Sequence, residues 1–279
     1  MIHRLLKGFA PLATLAGAML VSACDGVDIQ IGDSDGVPLA ELDMTGAPPS
    51  ELVFAGPDKV IVTKGDTLDI DVSGDEDAIA ELRFSLDGDA LGISRESSDW
   101  GGTGIATIRV TTPDISTLVL AGSGDVEVAS MQSAADSAVT IAGSGKARIA
   151  DLDAKSLDLT IAGSGNFEAS GRVDQLDLTI AGSGKADMAG LQAGGADITV
   201  AGSGDAEFAS DGRVEGSSMG SGTVTVNGRA DCTVSSMGSG KLNCRAASTA
   251  APNDESPTNS HPGSEVSRFS RWLSRFRKI

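Results

Sequence analysis

Five copies of Ala-Gly-Ser-Gly and two of Met-Gly-Ser-Gly punctuate this chain, placing serines at Ser123, Ser144, Ser164, Ser183, Ser203, Ser221 and Ser239. Successive serines lie 21, 20, 19, 20, 18 and 18 residues apart. A period near twenty is too short for two packed helices, so each copy is expected to be one coil of a solenoid. Gly102-Thr103-Gly104 precedes the first copy at the same interval and reads as a degenerate eighth. This regularity argues against a compact enzyme fold.

Within a copy, apolar and polar residues alternate. Leu157, Leu159, Ile161 and Phe167 share one parity, and Asp158, Thr160, Ser164, Asn166 and Glu168 share the other. That is the two-residue period of a half-buried strand. The parity continues through Leu176, Leu178, Ile180, Ala186 and Met188, and through Ile198, Val200, Ala206 and Phe208. Both glycines of each Gly-Ser-Gly have the inward parity, which suggests a bend where no side chain fits. Each coil is therefore expected to be a strand, a glycine corner, a second strand and a short variable return. The predicted fold is all-β, a single-stranded parallel β-helix over 51–245 with coils of roughly 20 residues. Its narrow core suits a chain without Tyr.

Stacked coils turn equivalent outward residues into ladders with a rung spacing of about 4.8 Å. The column after each corner runs Asp125, Lys146, Asn166, Lys185, Asp205, Thr223 and Lys241. Two residues on it runs Glu127, Arg148, Glu168, Asp187 and Glu207. Asp125 with Lys146, Glu127 with Arg148 and Lys185 with Asp205 are expected as weak cross-coil pairs. A third column, Asp158, Asp177, Asp197 and Glu215, has no interleaved base, so it either faces open water or holds cations loosely. Specific calcium sites are not expected. Calcium β-rolls repeat every nine residues, whereas Lys follows Gly-Ser-Gly here as often as Asp. No cofactor is implied.

Residues 1–23 read as a secretory signal, with Arg4 and Lys7 ahead of an apolar run too short to span a bilayer. Val21-Ser22-Ala23-Cys24 resembles a bacterial lipobox, which makes Cys24 the lipidated first residue of the mature chain; ordinary cleavage after Ala23 is the alternative. Residues 24–50 form an acidic spacer. Short strands at Leu52–Phe54, Lys59–Thr63 and Thr67–Val72, a hairpin over Leu82–Ile93 and a strand over Ile105–Val110 are expected to build less regular first coils and an N-terminal cap. Beyond Cys24, Cys232 and Cys244 share the inward parity of the last coil, six residues either side of Gly238. In an oxidising compartment they are expected to form a disulfide; two buried thiols are the alternative.

Residues 246–263 read as a flexible linker. Over 264–279, Val266, Phe269, Trp272, Leu273, Phe276 and Ile279 fall in an arc of about 140° on a helical wheel, opposed by Arg268, Arg271, Arg275 and Lys278. Such a basic amphipathic helix suits a membrane interface; capping the solenoid or binding a partner are the alternatives. Residues 24–245 hold 14 bases and 36 acids, a net of −22, while 264–279 have a net of +4. The acidic body excludes nucleic acid as a partner.

The Gly-Ser-Gly repeats, preceded by Pro57 to Asp66 and by Leu91-Gly92-Ile93, resemble the bacterial head GIN domain, a putative auto-transporter adhesin domain also known as DUF2807. The resemblance covers roughly 51–245. It implies an envelope-associated parallel β-helix and supplies no catalytic residues. Two functions then compete. One is a non-enzymatic, lipid-anchored binding or scaffolding module of the cell envelope, presenting Thr140, Thr160, Thr179 and Thr199 beside Ser144, Ser164, Ser183 and Ser203 to a glycan or another envelope protein. The other is a polysaccharide-active β-helix lyase or hydrolase, which needs carboxylates or a base converging in a cleft. The only histidines, His3 and His261, sit in the signal and the linker.

Overall fold

Inward apolar residues at every second position produce strands throughout the computed structural model, which describes residues 36–96 and 104–245. After a single 3-10 turn at Leu39–Glu41, the strands begin with β1 (Glu51–Gly56) and β2 (Lys59–Lys64). β3 (Asp69–Gly74), a short helix α1 (Glu76–Ala80), β4 (Leu82–Asp87), β5 (Ala90–Arg95) and β6 (Ala106–Thr112) follow. The repeats then supply β7 (Thr117–Gly122), β8 (Asp125–Val128), β9 (Met131–Gly143), β10 (Lys146–Gly163), β11 (Asn166–Gly182) and β12 (Lys185–Gly202). β13 (Asp205–Ser210), β14 (Arg213–Gly220), β15 (Thr223–Asn227), β16 (Asp231–Gly238) and β17 (Lys241–Arg245) complete them. From β7 onward the pairings are parallel, in the coil-on-coil order that the repeat predicts.

The first coils depart from that order. β1 pairs with β5 on one edge and β7 on the other, and β2 pairs with β6 and β8. The coil made of β5 and β6 therefore lies outside the coil that precedes it in sequence. Two antiparallel pairs, β3 with β6 and β4 with β5, then end the ladder. A single continuous parallel helix from residue 51 is thus corrected. The outer edge of β4 is covered in turn by Val37, which exchanges two backbone hydrogen bonds with Phe84. The predicted hairpin around Asp87-Gly88 is the β4–β5 pair.

Burial along β10 shows the cross-section of a regular coil. Ala147 and Ile149 point in, Ala150 and Asp151 are both exposed, Leu152 and Ala154 point in, and Leu157, Leu159 and Ile161 point in again. Each interruption of the alternation is a corner, so a coil has three inward runs. The expected variable return is instead a third short side, with Leu152 opposite Gly171 and Ala154 opposite Val173. Inside, large and small residues alternate. Phe167 stacks between Ala147 and Ala186, and all three are fully buried. One aromatic ring is accommodated because its neighbours above and below are methyl groups.

The two glycines of each corner do different jobs. Gly143, Gly163, Gly182 and Gly202 have φ between 118° and 131°, in the region where a Cβ is strained. They do not point inward, as parity alone suggests; they are partly or largely exposed. A Cβ on Gly163 lies 2.5 Å from the Gly143 carbonyl oxygen of the coil before. The second glycine does point in. A Cβ on Gly165 lies 2.5 Å from Cγ2 of Ile141, so this glycine makes room for a β-branched residue of the neighbouring coil.

Candidate functional site

Each corner fixes its serine by the backbone. The N–H of Ser164 donates to the Gly143 carbonyl at 2.9 Å, Ser183 to Gly163 at 2.8 Å and Ser203 to Gly182 at 2.8 Å. With the amide committed, the side chain turns outward, and Ser144, Ser164, Ser183 and Ser203 are all exposed. They form a column of hydroxyls along one corner.

The adjoining face carries a second hydroxyl ladder. Thr140, Thr160, Thr179 and Thr199 are direct register partners in succession. The ladder extends beyond those four, because Ser217 pairs with Thr199 and Ser235 with Ser217. Aligning the Met-Gly-Ser-Gly copies on their own serines reveals both positions, since each lies four residues before its corner serine. Flanking the hydroxyls on one side are Ala142, Ala162, Ala181 and Ala201, replaced by exposed Met219 and Met237 in the last coils. On the other side stand Asp158, Asp177, Asp197 and Glu215, in register as expected. Burial and the neighbouring Asp197 and Asp158 carboxylates raise the Asp177 carboxyl above its ordinary range. Gln175 donates to Asp197 at 3.0 Å, and Arg213 pairs with Glu215 at 2.6 Å, so only part of this ladder has charge-stabilising partners.

The columns beyond the corner carry ion pairs, but not the predicted ones. Lys146 reaches Glu168 at 2.6 Å, Arg148 approaches the same carboxylate at 3.7 Å, and Lys185 pairs within its own strand with Asp187. Asp205 instead accepts from the Thr223 backbone N–H. Arg148 and Glu168 are direct register partners, whereas Lys146 reaches the same carboxylate on the diagonal.

Chemically, this arrangement offers repeated donors and acceptors on flat faces. Carboxylates stand in ladders, and among the described residues there is no cluster of three or more His, Cys, Asp or Glu able to hold a metal. No helix among the described residues is long and apolar enough to cross a membrane. In the last coil Cys232 and Cys244 are joined by a disulfide, with their Cα atoms 6.7 Å apart. Cys24 and the tail residues Val266, Arg268, Phe269, Arg271, Trp272, Leu273, Arg275, Phe276 and Lys278 lie outside the described residues.

A parallel β-solenoid that displays repetitive polar ladders defines a class of surface-presenting folds. The chain belongs to the family described as putative auto-transporter adhesin, head GIN domain, whose model matches residues 48–230. Solved structures share the fold. A putative adhesin from Bacteroides fragilis is 17% identical with a TM-score of 0.62, covering 71% of this chain and 92% of that one. A putative lipid binding protein from Parabacteroides distasonis is 22% identical with a TM-score of 0.55, covering 71% and 93%. A putative adhesin from Parabacteroides merdae is 14% identical, also with a TM-score of 0.55, covering 71% and 92%. No curated protein matches the chain.

Proposed function

We propose that the chain is a non-enzymatic binding or scaffolding module of the bacterial cell envelope, held to a membrane by lipid on Cys24. The observation that carries this reading is the in-register hydroxyl ladder from Thr140 to Ser235, a flat periodic surface suited to an extended partner. Membership of a family described as putative adhesins supports it. The segment 264–279 supplies a second, reversible membrane contact, since two weak anchors hold far better than one.

The test is retention of envelope polymers (peptidoglycan sacculi and crude capsular polysaccharide) by the immobilised full chain, with a heat-denatured chain as control. Saturable retention supports the module. Release of reducing sugar or unsaturated product from the retained polymer identifies an enzyme instead. Cys24→Ala is expected to abolish incorporation of a labelled fatty acid and to leave an unprocessed precursor.

A further inference from the structure

The repeat shifts register at several corners, most widely between β12 and β13, and a groove lies on that coil. Between β12 and β13 the register jumps, so that Met188 faces Phe208 while Gln192 faces Ala209. Residues 189–191 have no counterpart in the next coil. One residue is then gained, because Ala193 faces Ser210 while Ala196 faces Val214. Losing three and gaining one accounts for the fall in serine spacing from 20 to 18. The displaced corner leaves an open groove of about 370 Å³, lined by Arg172, Asp174, Gln192, Gly194, Asp211 and Gly212 together with the backbone beneath them. That volume falls in the range of small-molecule sites and takes roughly one or two sugar rings.

Two features equip this groove for a ligand. First, its floor is bare backbone. A Cβ on Gly194 lies 2.6 Å from the Asp174 carbonyl oxygen, and one on Gly212 lies 1.7 Å from the Gly194 carbonyl oxygen, so neither position takes a side chain and a ligand can approach closely. Second, three of its four polar side chains are uncommitted. Arg172 faces Asp153 on one side and Gln192 on the other, yet Arg172, Asp174 and Gln192 make no side-chain hydrogen bond or ion pair with the described residues. The glutamines Gln132 and Gln175, by contrast, donate to Asp151 and Asp197. Asp211 is held in place by the Arg229 backbone N–H at 2.8 Å.

We propose that this groove binds a neutral, polyhydroxylated ligand, a hexose unit of a glycan. Arg172 and Gln192 donate to its oxygens, and Asp174 and Asp211 accept from its hydroxyls. A planar guanidinium beside an amide and two carboxylates matches vicinal hydroxyls, each of which is one donor and two acceptors. Two carboxylates in the groove, on a body of net −22, exclude polyanions. The proposal rests on the binding-module reading and adds a groove site to the hydroxyl ladder named there.

The test is a glycan array carrying neutral glucose, galactose and mannose oligomers and, separately, polygalacturonate fragments, probed with the full chain in detergent. Affinity for the strongest hit is then measured for the Arg172→Ala/Gln192→Ala variant, for Arg172→Lys, for Thr160→Ala/Thr179→Ala and for Asp66→Asn. The expected result is binding of neutral oligomers, weakened about tenfold or more by the double groove variant at an unchanged melting temperature. Arg172→Lys, which keeps the charge and loses the fork, also weakens it, and Asp66→Asn, at an exposed position outside both the groove and the hydroxyl ladder, leaves it intact. Loss with the threonine variant alone overturns the groove and leaves the module standing. Preference for polygalacturonate, or no neutral hit, overturns the groove proposal, and retention of envelope polymers then decides the module independently.

Discussion

The two ends of the solenoid solve the same problem by opposite means. At the N-terminal end the inward residues are large, including Phe54, Phe84, Leu91 and Ile93, all buried. They are covered by antiparallel β3 and β4 and by α1, whose first amides are capped by the Asp75 carboxylate. At the C-terminal end the interior tapers. One inward column runs Ile161, Ile180, Val200, Ser218, Ser236, and its neighbour runs Leu159, Leu178, Ile198, Gly216, Val234. Less apolar surface is left to cover, and a disulfide joins the two strands of the last coil. A repeat fold is cheap to extend, and its ends are where the sequence must become irregular.

The corner position shows the contrast sharply. Asp58 occupies the place of the second glycine, since its carbonyl accepts from Asp125 N–H as the Gly124 carbonyl does from Lys146. Its carboxylate is buried and receives Arg95 Nε at 2.8 Å, Arg95 Nη2 at 2.5 Å and the Ala106 amide at 2.8 Å. Arg95 also donates to the Gly104 carbonyl. This network ties the first coil to the outer coil that follows it out of order. Asp58→Ala removes the bidentate carboxylate from a buried guanidinium, whose Nη1 keeps Glu81 at 3.8 Å, and is expected to cost about 3 kcal/mol. Urea unfolding of the full chain measures it; a loss below about 1 kcal/mol shows that the pair is dispensable and the cap is held by apolar burial alone.

At the other end, the disulfide closes a loop with a sequence separation of 12. Chain-entropy arguments put such a closure at about 3 kcal/mol. Because Cys244 is exposed and the last coil thinly packed, the loss on Cys232→Ser/Cys244→Ser is expected locally. Hydrogen exchange should speed up over 231–245 while 146–202 stays protected. Equal acceleration in both segments removes the idea that this end frays independently.

Between the ends, the regular coils depend on the two corner glycines unequally. Gly163→Ala places a Cβ against a backbone carbonyl at positive φ and is expected to cost about 2 kcal/mol. Gly165→Ala meets the Ile141 Cγ2 methyl at 2.5 Å and the Gly145 carbonyl oxygen at 3.0 Å, but without the positive φ of Gly163, so it should cost less. Thermal melts of the two variants rank them, and the reverse order refutes the assignment of corner strain to the first glycine.

Much of this was legible in the residues. The alternation Leu157, Leu159, Ile161 and the fixed Gly-Ser-Gly interval determine strand, corner and stacking, because each is a local rule repeated many times. The insertion of β1 and β2 between later coils was not legible, since strand order depends on long-range pairing that period-two patterns do not encode. Parity also misjudged the first corner glycine, because a bend resets the alternation it is read from. At the candidate faces, the columns of Thr140 to Thr199 and Asp158 to Glu215 followed from register. The groove did not, although its signal was the shift in spacing from 20 to 18 near Ser203.

The smallest predicted effect tests whether an in-register ladder is only tolerated or is stabilising. Asp177 sits between Asp158 and Asp197, and its carboxyl is raised by burial and by those two charges. A raised folded-state value means that the proton is held more tightly in the folded chain. The associated stabilisation is therefore complete below the ordinary value of 3.8 and is lost as pH rises through the folded value. At neutral pH the ladder is then a small liability, offset in part by exposure to water. Asp177→Asn should raise stability at pH 7 by about 0.3 kcal/mol, the scale of exposed like-charge pairs, and the gain should vanish near pH 3 where the wild-type carboxyl is protonated. Added salt should shrink the gain at pH 7 by screening. A loss of stability at pH 7 on removing this charge reverses the sign and makes the ladder a net stabilising element, as it is if a cation bridges Asp158, Asp177 and Asp197.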